Sequence, residues 1–443
     1  MKKKIEKAMN EISDKHIAEA ASYKRKRTLR WTGAIAAVLA VVIFATTLLN
    51  PLTLSAEAVS IAKYPKYEWK YRPEMDEAVN DLQDFFALSM QQTLSGTQGE
   101  NTAYSPINLY MALCLMAELT HGSKQILQLL NTESSEALRS QASEIWNACY
   151  FDDGDRTLLA NSVWLDKGLT YEQSVMDTLA DTYYTSVYQS DLQKASSKDA
   201  IRTWLNSQTG NMLKAETGQI EVDPLTVMLL YSTVYYQAKW TDDVEFSKSR
   251  STEATFHAPS GDVTCTFMNK KEMETNYYWA ENFGAVSLGL KDGSRMWLLL
   301  PDEGKTTDDV LASDELTQLL FGDFQNKKYM KVNLSVPKFD IRHSSDLKAD
   351  LQALGVTDVF SGTADFSEAV SYKEPLFFTG VNQATRVAID EKGVTAASYI
   401  EVPAAGAAPP PEEIIDFVLD RPFVFVIANR YGLPLFAGVV NEP

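Results

Sequence analysis

The side chains that most often carry chemistry are sparse in this chain and poorly spaced for it. Its 443 residues include four histidines, His16, His121, His257 and His343, and three cysteines, Cys114, Cys149 and Cys265. No His or Cys stands at metal-ligand spacing from another, and there is no G-x-S-x-G elbow, H-E-x-x-H helix, Walker loop or dinucleotide fingerprint. A Ser/His/Asp triad would have to assemble from distant positions, and nothing in the spacing assigns one. The cysteines are an odd count without motif spacing, so they read as small buried hydrophobes rather than a disulfide framework. We expect no metal, no cofactor and no catalytic residue.

What remains is a stretch suited to being acted upon. From Asp390 to Pro411, a pair of acids (Asp390, Glu391) closes a strand, then come small residues, an Ala/Gly tract and three consecutive prolines. An exposed linker is the plain reading. Two more strands follow, however, so the segment is an internal loop, and at about 30 residues it is long enough to expect a function. Its first half also has period two. Val394, Ala396, Ser398, Ile400 and Val402 are small or apolar, whereas Thr395, Ala397, Tyr399 and Glu401 tolerate water. A loop carrying a strand pattern is able to become a strand.

The elements that must hold this loop are mixed. Ala78–Thr93 and Ile107–Thr120 repeat apolar residues at helical intervals, and Ser123–Leu130 and Ser197–Gln208 each open on a serine that suits an N-cap. Strand-like runs are Leu158–Leu165, Thr226–Gln237, Met296–Leu300, Tyr329–Pro337, Leu376–Thr379, Arg386–Ile389, Phe423–Ala428 and Pro434–Val440. Thr226–Gln237 is nearly continuous in apolar or β-branched residues, as expected of a strand covered on both faces. Helices cluster early and strands late, which predicts α+β with large sheets.

Composition is that of a folded protein, 45% hydrophobic and 23% charged. The charge is split. Residues 1–30 carry ten Lys/Arg and four Asp/Glu, and the rest carry 31 and 55. An acidic body of that kind gives no surface for nucleic acid. Trp31 to Ala56 has no charge, and its apolar centre is long enough to cross a bilayer. With Lys24 to Arg30 beside it, the positive-inside rule predicts a cytoplasmic head, 1–30, and a transmembrane signal-anchor, 31–52. Residues 53–75 read as a linker with Pro65 and Pro73, and 76–443 as one domain outside the cell. Ala56-Glu57-Ala58 resembles a signal-peptidase site, so secretion after cleavage at Ala58 is the alternative. A long basic head before a single span has the style of a bacterial cell-surface protein.

Over the large domain the chain resembles the serpin family, the serine protease inhibitors. Asn101 to Asn108 resembles the N-x-x-x-S-P-x-S motif, and Tyr231 to Trp240 the strand ending in K-G-K-W. Val336-Pro-Lys-Phe339, Asp346-Leu347 with Leu354-Gly355, and Ala364-Asp-Phe366 resemble further family pieces. Asp390 to Gly393 with Ala396-Ala397 resembles the reactive-loop hinge, and Arg421 to Phe425 with Gly438 to Pro443 the family's ending. The order of these pieces over some 340 residues makes the match specific.

The resemblance implies a serpin fold of three β-sheets and surrounding helices, and a suicide inhibitor rather than an enzyme. A target protease would cleave the loop and form a covalent acyl complex, and the loop would insert into the main sheet. It implies a hinge at Glu391, Lys392, Gly393, Val394, Thr395, Ala396, Ala397 and Ser398, and a breach at Trp240. It also implies a polar shutter at Ser105, Asn108, Ser232 and Gln383, the last three departing from the family's Ser, Asn and His. Val394 stands where Thr or Ser is usual. Counting from the hinge Glu puts the reactive bond at Ala407–Ala408, with Gly406–Ala407 and Ala405–Gly406 as alternatives. A small residue there suits an elastase- or subtilisin-like serine protease, with a cysteine protease as the alternative, and leaves the S1 acid of a trypsin-like enzyme unpaired. A monomer is expected. A non-inhibitory serpin acting as a surface binding module is the second reading, supported by Val394, by the altered shutter and by Pro403, which removes a ladder hydrogen bond from any inserted strand.

Overall fold

At the start of the domain's buried helix, Ser105 turns the chain. Its side chain accepts a hydrogen bond from Asn108 N at 3.3 Å, and Pro106 follows at the first helical position, where its missing N–H is harmless. The helix it starts, Pro106–Leu119, is buried along its whole length, so an apolar sequence all round suits it. The structure is a computed structural model of the chain. It describes residues 56–65, 75–97, 99–153, 155–211, 220, 222–394 and 413–443, all within the compact unit Leu54–Pro443. The head 1–30, the expected span 31–52 and the loop 395–412 lie outside the described residues. Among the described residues, no helix is long and apolar enough to cross a membrane.

In chain order the first elements are β1 (Glu57–Ser60), α1 (Met75–Leu94), β2 (Thr102–Tyr104), α2 (Pro106–Leu119) and α3 (Lys124–Leu129). Then come α4 (Ser135–Cys149), β3 (Phe151–Asp153), β4 (Asp155–Asp166), β5 (Thr170–Tyr171) and α5 (Gln173–Thr182). β6 (Thr185–Ser190), α6 (Ala195–Gln208), β7 (Met228–Lys239), β8 (Thr252–Ala258) and β9 (Gly261–Trp279) follow. Next are β10 (Phe283–Gly289), β11 (Arg295–Pro301), α7 (Thr307–Leu311), α8 (Asp314–Phe321), β12 (Lys327–Pro337) and β13 (Phe339–Asp346). The last are α9 (Lys348–Ala353), β14 (Val370–Ser371), β15 (Asn382–Asp390), β16 (Gly393–Val394), β17 (Ile414–Val418), β18 (Phe423–Ala428) and β19 (Pro434–Val440).

One large sheet has the order β1-β6-β4-β7-β16-β15-β13, with β3 paired to β4. The other runs β17-β12-β9-β10-β11-β18-β19-β2, with β8 paired to β9. Helix α2 packs against β7 of the first and β19 of the second, and the largest core cluster lies around it. The resemblance implies three sheets. By hydrogen bonding among the described residues there are two large ones and the pair β5–β14, because β9 and β12 run on through what would be separate sheets. Both strands are irregular at one level: Glu272 has φ +50°, its N–H donates to Asn333 Oδ1 at 3.0 Å, and the register shifts between Val332 and Leu334.

Several sequence expectations are corrected. Part of the expected linker 53–75 is a strand: β1 covers the edge of β6, pairing Glu57 with Gln189 and Ala58 with Tyr188, and Tyr64 stacks on Trp146 at 5.7 Å. Leu376–Thr379 is not a strand, since among the described residues no strand runs beside it to form a ladder. Ser197 is no N-cap; α6 begins at Ala195, and Ser197 is buried within its first turn. β7 is half-buried over most of its length rather than covered on both faces, because its edge borders an open gap. All three cysteines are free thiols, and Cys265 is only partly buried.

The hinge and the slot below it

β15 and β16 form a tight hairpin through Glu391 and Lys392. β16 is two residues long and lies between β15 and β7: Gly393 pairs with Asp390 and Lys239, Val394 with Ile389 and Ala238. Close approach explains the glycine. A Cβ on residue 393 would stand 2.3 Å from the carbonyl oxygen of Ala238. Val394 is 3% exposed, so its β-branched side chain enters the sheet interior without an unpaired hydroxyl.

The hairpin is fastened from both sides. Trp240, buried and edge-on to Phe246, donates from Nε1 to the Asp390 carbonyl at 2.8 Å and from its backbone N–H to the Lys392 carbonyl at 3.0 Å. Phe246 N–H donates to the Glu391 carbonyl at 3.2 Å. The Glu391 carboxylate, on a residue 3% exposed, accepts from Lys338 Nζ at 2.6 Å and Ser251 Oγ at 2.8 Å. Burial pushes its pKa up, but the hydrogen bonds from Lys338, the backbone and Ser251 outweigh that and hold it below the ordinary glutamate value.

The four polar positions predicted as a cluster come together at the start of α2. Ser105 N–H donates to Gln383 Oε1 at 2.7 Å, and Gln383 Nε2 donates back to the Ser105 carbonyl at 3.1 Å. Asn108 Nδ2 donates to the Ser232 carbonyl at 2.8 Å, and Ser232 Oγ donates to Asn108 Oδ1. Ser105 thus ties α2 to β15, and Asn108 ties it to β7. Ser105 Oγ also donates to the Leu435 carbonyl at 2.6 Å.

Beyond Val394, β7 and β15 share no ladder among the described residues. Between them lies a cavity of about 790 Å³, floored by Leu109, Ala112 and Met116 of α2 and walled by β7 and residues 372–383. The arrangement is a slot whose first rung is occupied; below it, among the described residues, β7 and β15 face each other unpaired, and residues 372–381 wall the remainder opposite β7.

A family model described as serpin (serine protease inhibitor) matches residues 81–443. The chain is a serpin. It belongs to a family of protease inhibitors and is not an enzyme. Serpin-ZX of Arabidopsis thaliana is 27% identical over 369 residues, covering 78% of this chain and 93% of that protein. Plasminogen activator inhibitor 1 of Sus scrofa is 27% identical over 389 residues, covering 81% and 91%. The native-state crystal structure of the thermophilic serpin Tengpin superposes with a TM-score of 0.74 at 23% identity, over 87% of this chain and all of that one, and shows the shared fold. These plant and mammalian relatives lend no support to a bacterial origin.

In the serpin frame, Glu391, Lys392, Gly393 and Val394 of the expected hinge are seated as described, and Trp240 meets them. Thr395, Ala396, Ala397, Ser398 and the bond Ala407–Ala408 lie outside the described residues. Sequence reasoning missed Lys338 and Ser251, the partners of Glu391. Lys338 was visible only as part of the Pro337-Lys338-Phe339 piece, and no local signal pairs it with a residue 53 positions away.

Proposed function

We propose that this serpin is a suicide inhibitor of an extracellular serine (or cysteine) protease that prefers a small residue on the acyl side of the scissile bond, and that its cleaved loop inserts between β7 and β15. The observation that carries the reading is the seated rung Gly393–Val394. Strand addition, of which serpin loop insertion is a known case, needs free edges on both sides, and here the first residues are already laddered at the head of the slot. Continuing that register would bring Ile400 between Ser232 and Gln383. Val394, Ala396, Ser398, Ile400 and Val402 would then face the interior, and Thr395, Ala397, Tyr399 and Glu401 the outside. Pro403 would lie opposite Leu229, past the point where β15 begins at Asn382, so its missing N–H would cost at most one ladder bond.

The chemistry is supplied by the target. Its nucleophile attacks the carbonyl of Ala407, the new amine of Ala408 leaves with the C-terminal segment, and an ester joins enzyme to loop. Insertion then outruns hydrolysis, drawing on the edges of β7 and β15 that are unpaired among the described residues. The chain acts as a monomer, with no nucleic acid involved.

We further propose that residues 31–52 tether the domain to the cell membrane in a single pass, with the serpin domain outside. A retained anchor is favoured over cleavage after Ala58, because that cut would take Glu57 and Ala58 out of β1 and bare the edge of β6. The second reading, a surface binding module without inhibition, is favoured by Pro403 alone.

The test is incubation of the full-length chain with elastase-, subtilisin- and trypsin-like proteases, followed by denaturing gels and mass spectrometry. The proposal expects an SDS-stable complex with a small-residue-preferring enzyme and release of a peptide beginning at Ala408. Cleaved chain with free, active protease would leave the binding-module reading in its place.

A further inference from the structure

β9 and β10 pair over only three residues, Tyr277–Trp279 against Gly284–Val286, although both strands continue. Past Val286 a cavity of about 300 Å³ opens between them, closed by the loop that follows β7. That volume is at the small end of ligand pockets. It is separate from the slot between β7 and β15 and from the hinge hairpin.

Its lining has an apolar part and a charged part. Val244, Met273 and Leu290 are buried apolar walls. Arg295 brings a guanidinium that forms no ion pair among the described residues; Nη1 donates to Ser287 Oγ at 3.5 Å, the limit of a hydrogen bond. A carboxylate would replace that weak contact with a bidentate, charge-assisted one. Asp243 also lines the cavity, and its carboxylate works against a second negative charge on any occupant.

The closing loop leads to the hinge. Thr241 donates from N and Oγ1 to the Gly289 carbonyl at 3.0 and 3.2 Å, and a Cβ on Gly289 would stand 2.9 Å from Thr241 Oγ1, so the glycine lets the loop sit against β10. Five residues on, Phe246 N–H holds the Glu391 carbonyl; one residue back, Trp240 N–H holds that of Lys392.

We propose that this cavity binds a small organic monoanion, a carboxylate on a compact apolar body, and that occupancy steadies the loop that holds the hinge. The site stands whether or not the chain inhibits a protease. Titration of the full-length chain with 4-fluorobenzoate, read by fluorine NMR, should give a saturable shift. Arg295→Gln and the neutral probe 4-fluorobenzamide should each bind about tenfold more weakly, the loss expected for one charge-assisted contact. Arg342→Gln, on β13, should bind as the native chain does. Hydrogen exchange at the Trp240 and Phe246 amides should slow when 4-fluorobenzoate is bound. An Arg295→Gln chain or an amide that binds as well as the native pair, or no saturable shift at millimolar probe, would overturn the site. Saturable binding with unchanged exchange at both amides would overturn the link to the hinge.

Discussion

Adjacent positions at the start of the loop should respond oppositely to the same charge. Val394 is 3% exposed between Ala238 and Ile389, which are 0% and 4% exposed. In Val394→Asp an ionised carboxylate would have to enter that space without a partner, at an effective cost of about 3 kcal/mol after relaxation. If half of this is felt in the transition state for insertion, the step slows about tenfold. The acyl-enzyme then hydrolyses instead of being trapped. Thr395 has the opposite parity, so Thr395→Asp would keep its carboxylate in water. Because β16 is only two residues long, Val394→Asp should release the hinge without unfolding the domain, which circular dichroism checks. The assay is the number of inhibitor molecules consumed per protease inactivated. Its excess over one, which is the ratio of hydrolysis to insertion, should rise about tenfold for Val394→Asp and stay near native for Thr395→Asp. Equal behaviour of the two variants would refute the register on which the mechanism rests.

Three further outcomes follow from individual contacts. Lys338→Met leaves the buried Glu391 carboxylate with Ser251 but no cation, and should cost about 2–3 kcal/mol in denaturant unfolding; because the folded pKa of Glu391 is depressed, that cost should fade as pH drops through the carboxylate range, and a loss independent of pH would contradict the pairing. Burial, then the neighbouring Asp292, push the Asp155 carboxyl up to about 6, so its contribution to stability is present below the ordinary aspartate range and lost as pH rises through 6. Asp155→Asn should therefore raise the urea midpoint more at about pH 7.5 than at about pH 4.5, and equal gains at both would contradict that cause. Gln383→Leu strips the acceptor from the buried Ser105 N–H and should cost about 1–3 kcal/mol; Ser232→Ala keeps the Ser232 carbonyl for Asn108 and should cost less, an order that unfolding of the two variants checks.

The parts of the fold visible in the sequence are those with a long repeating pattern. α2 is legible as apolar residues at helical intervals over Ile107–Thr120, and β15 as the strand-like run Arg386–Ile389. β1 is illegible in the sequence because four residues among prolines carry no period; only the open edge of β6 makes them a strand. Leu376–Thr379 failed in the opposite way, with a strand-like composition but no neighbour to pair with. The tie between Ser105 and Gln383 spans 278 positions and was reachable through resemblance to a family alone. The Lys338–Glu391 pair had no such guide, and the cavity at the fork of β9 and β10 arises from where two strands part, which no residue pattern encodes.

Loop insertion is tested most directly by the unfolding temperature of the chain before and after a single cut in the loop by a protease that it does not trap. Insertion would fill the free edges of β7 and β15 and cover the slot, so the cleaved chain should unfold at a markedly higher temperature than the intact one. A cleaved chain that unfolds at the same temperature, or lower, would mean that the slot stays empty and that the inhibitory mechanism is wrong.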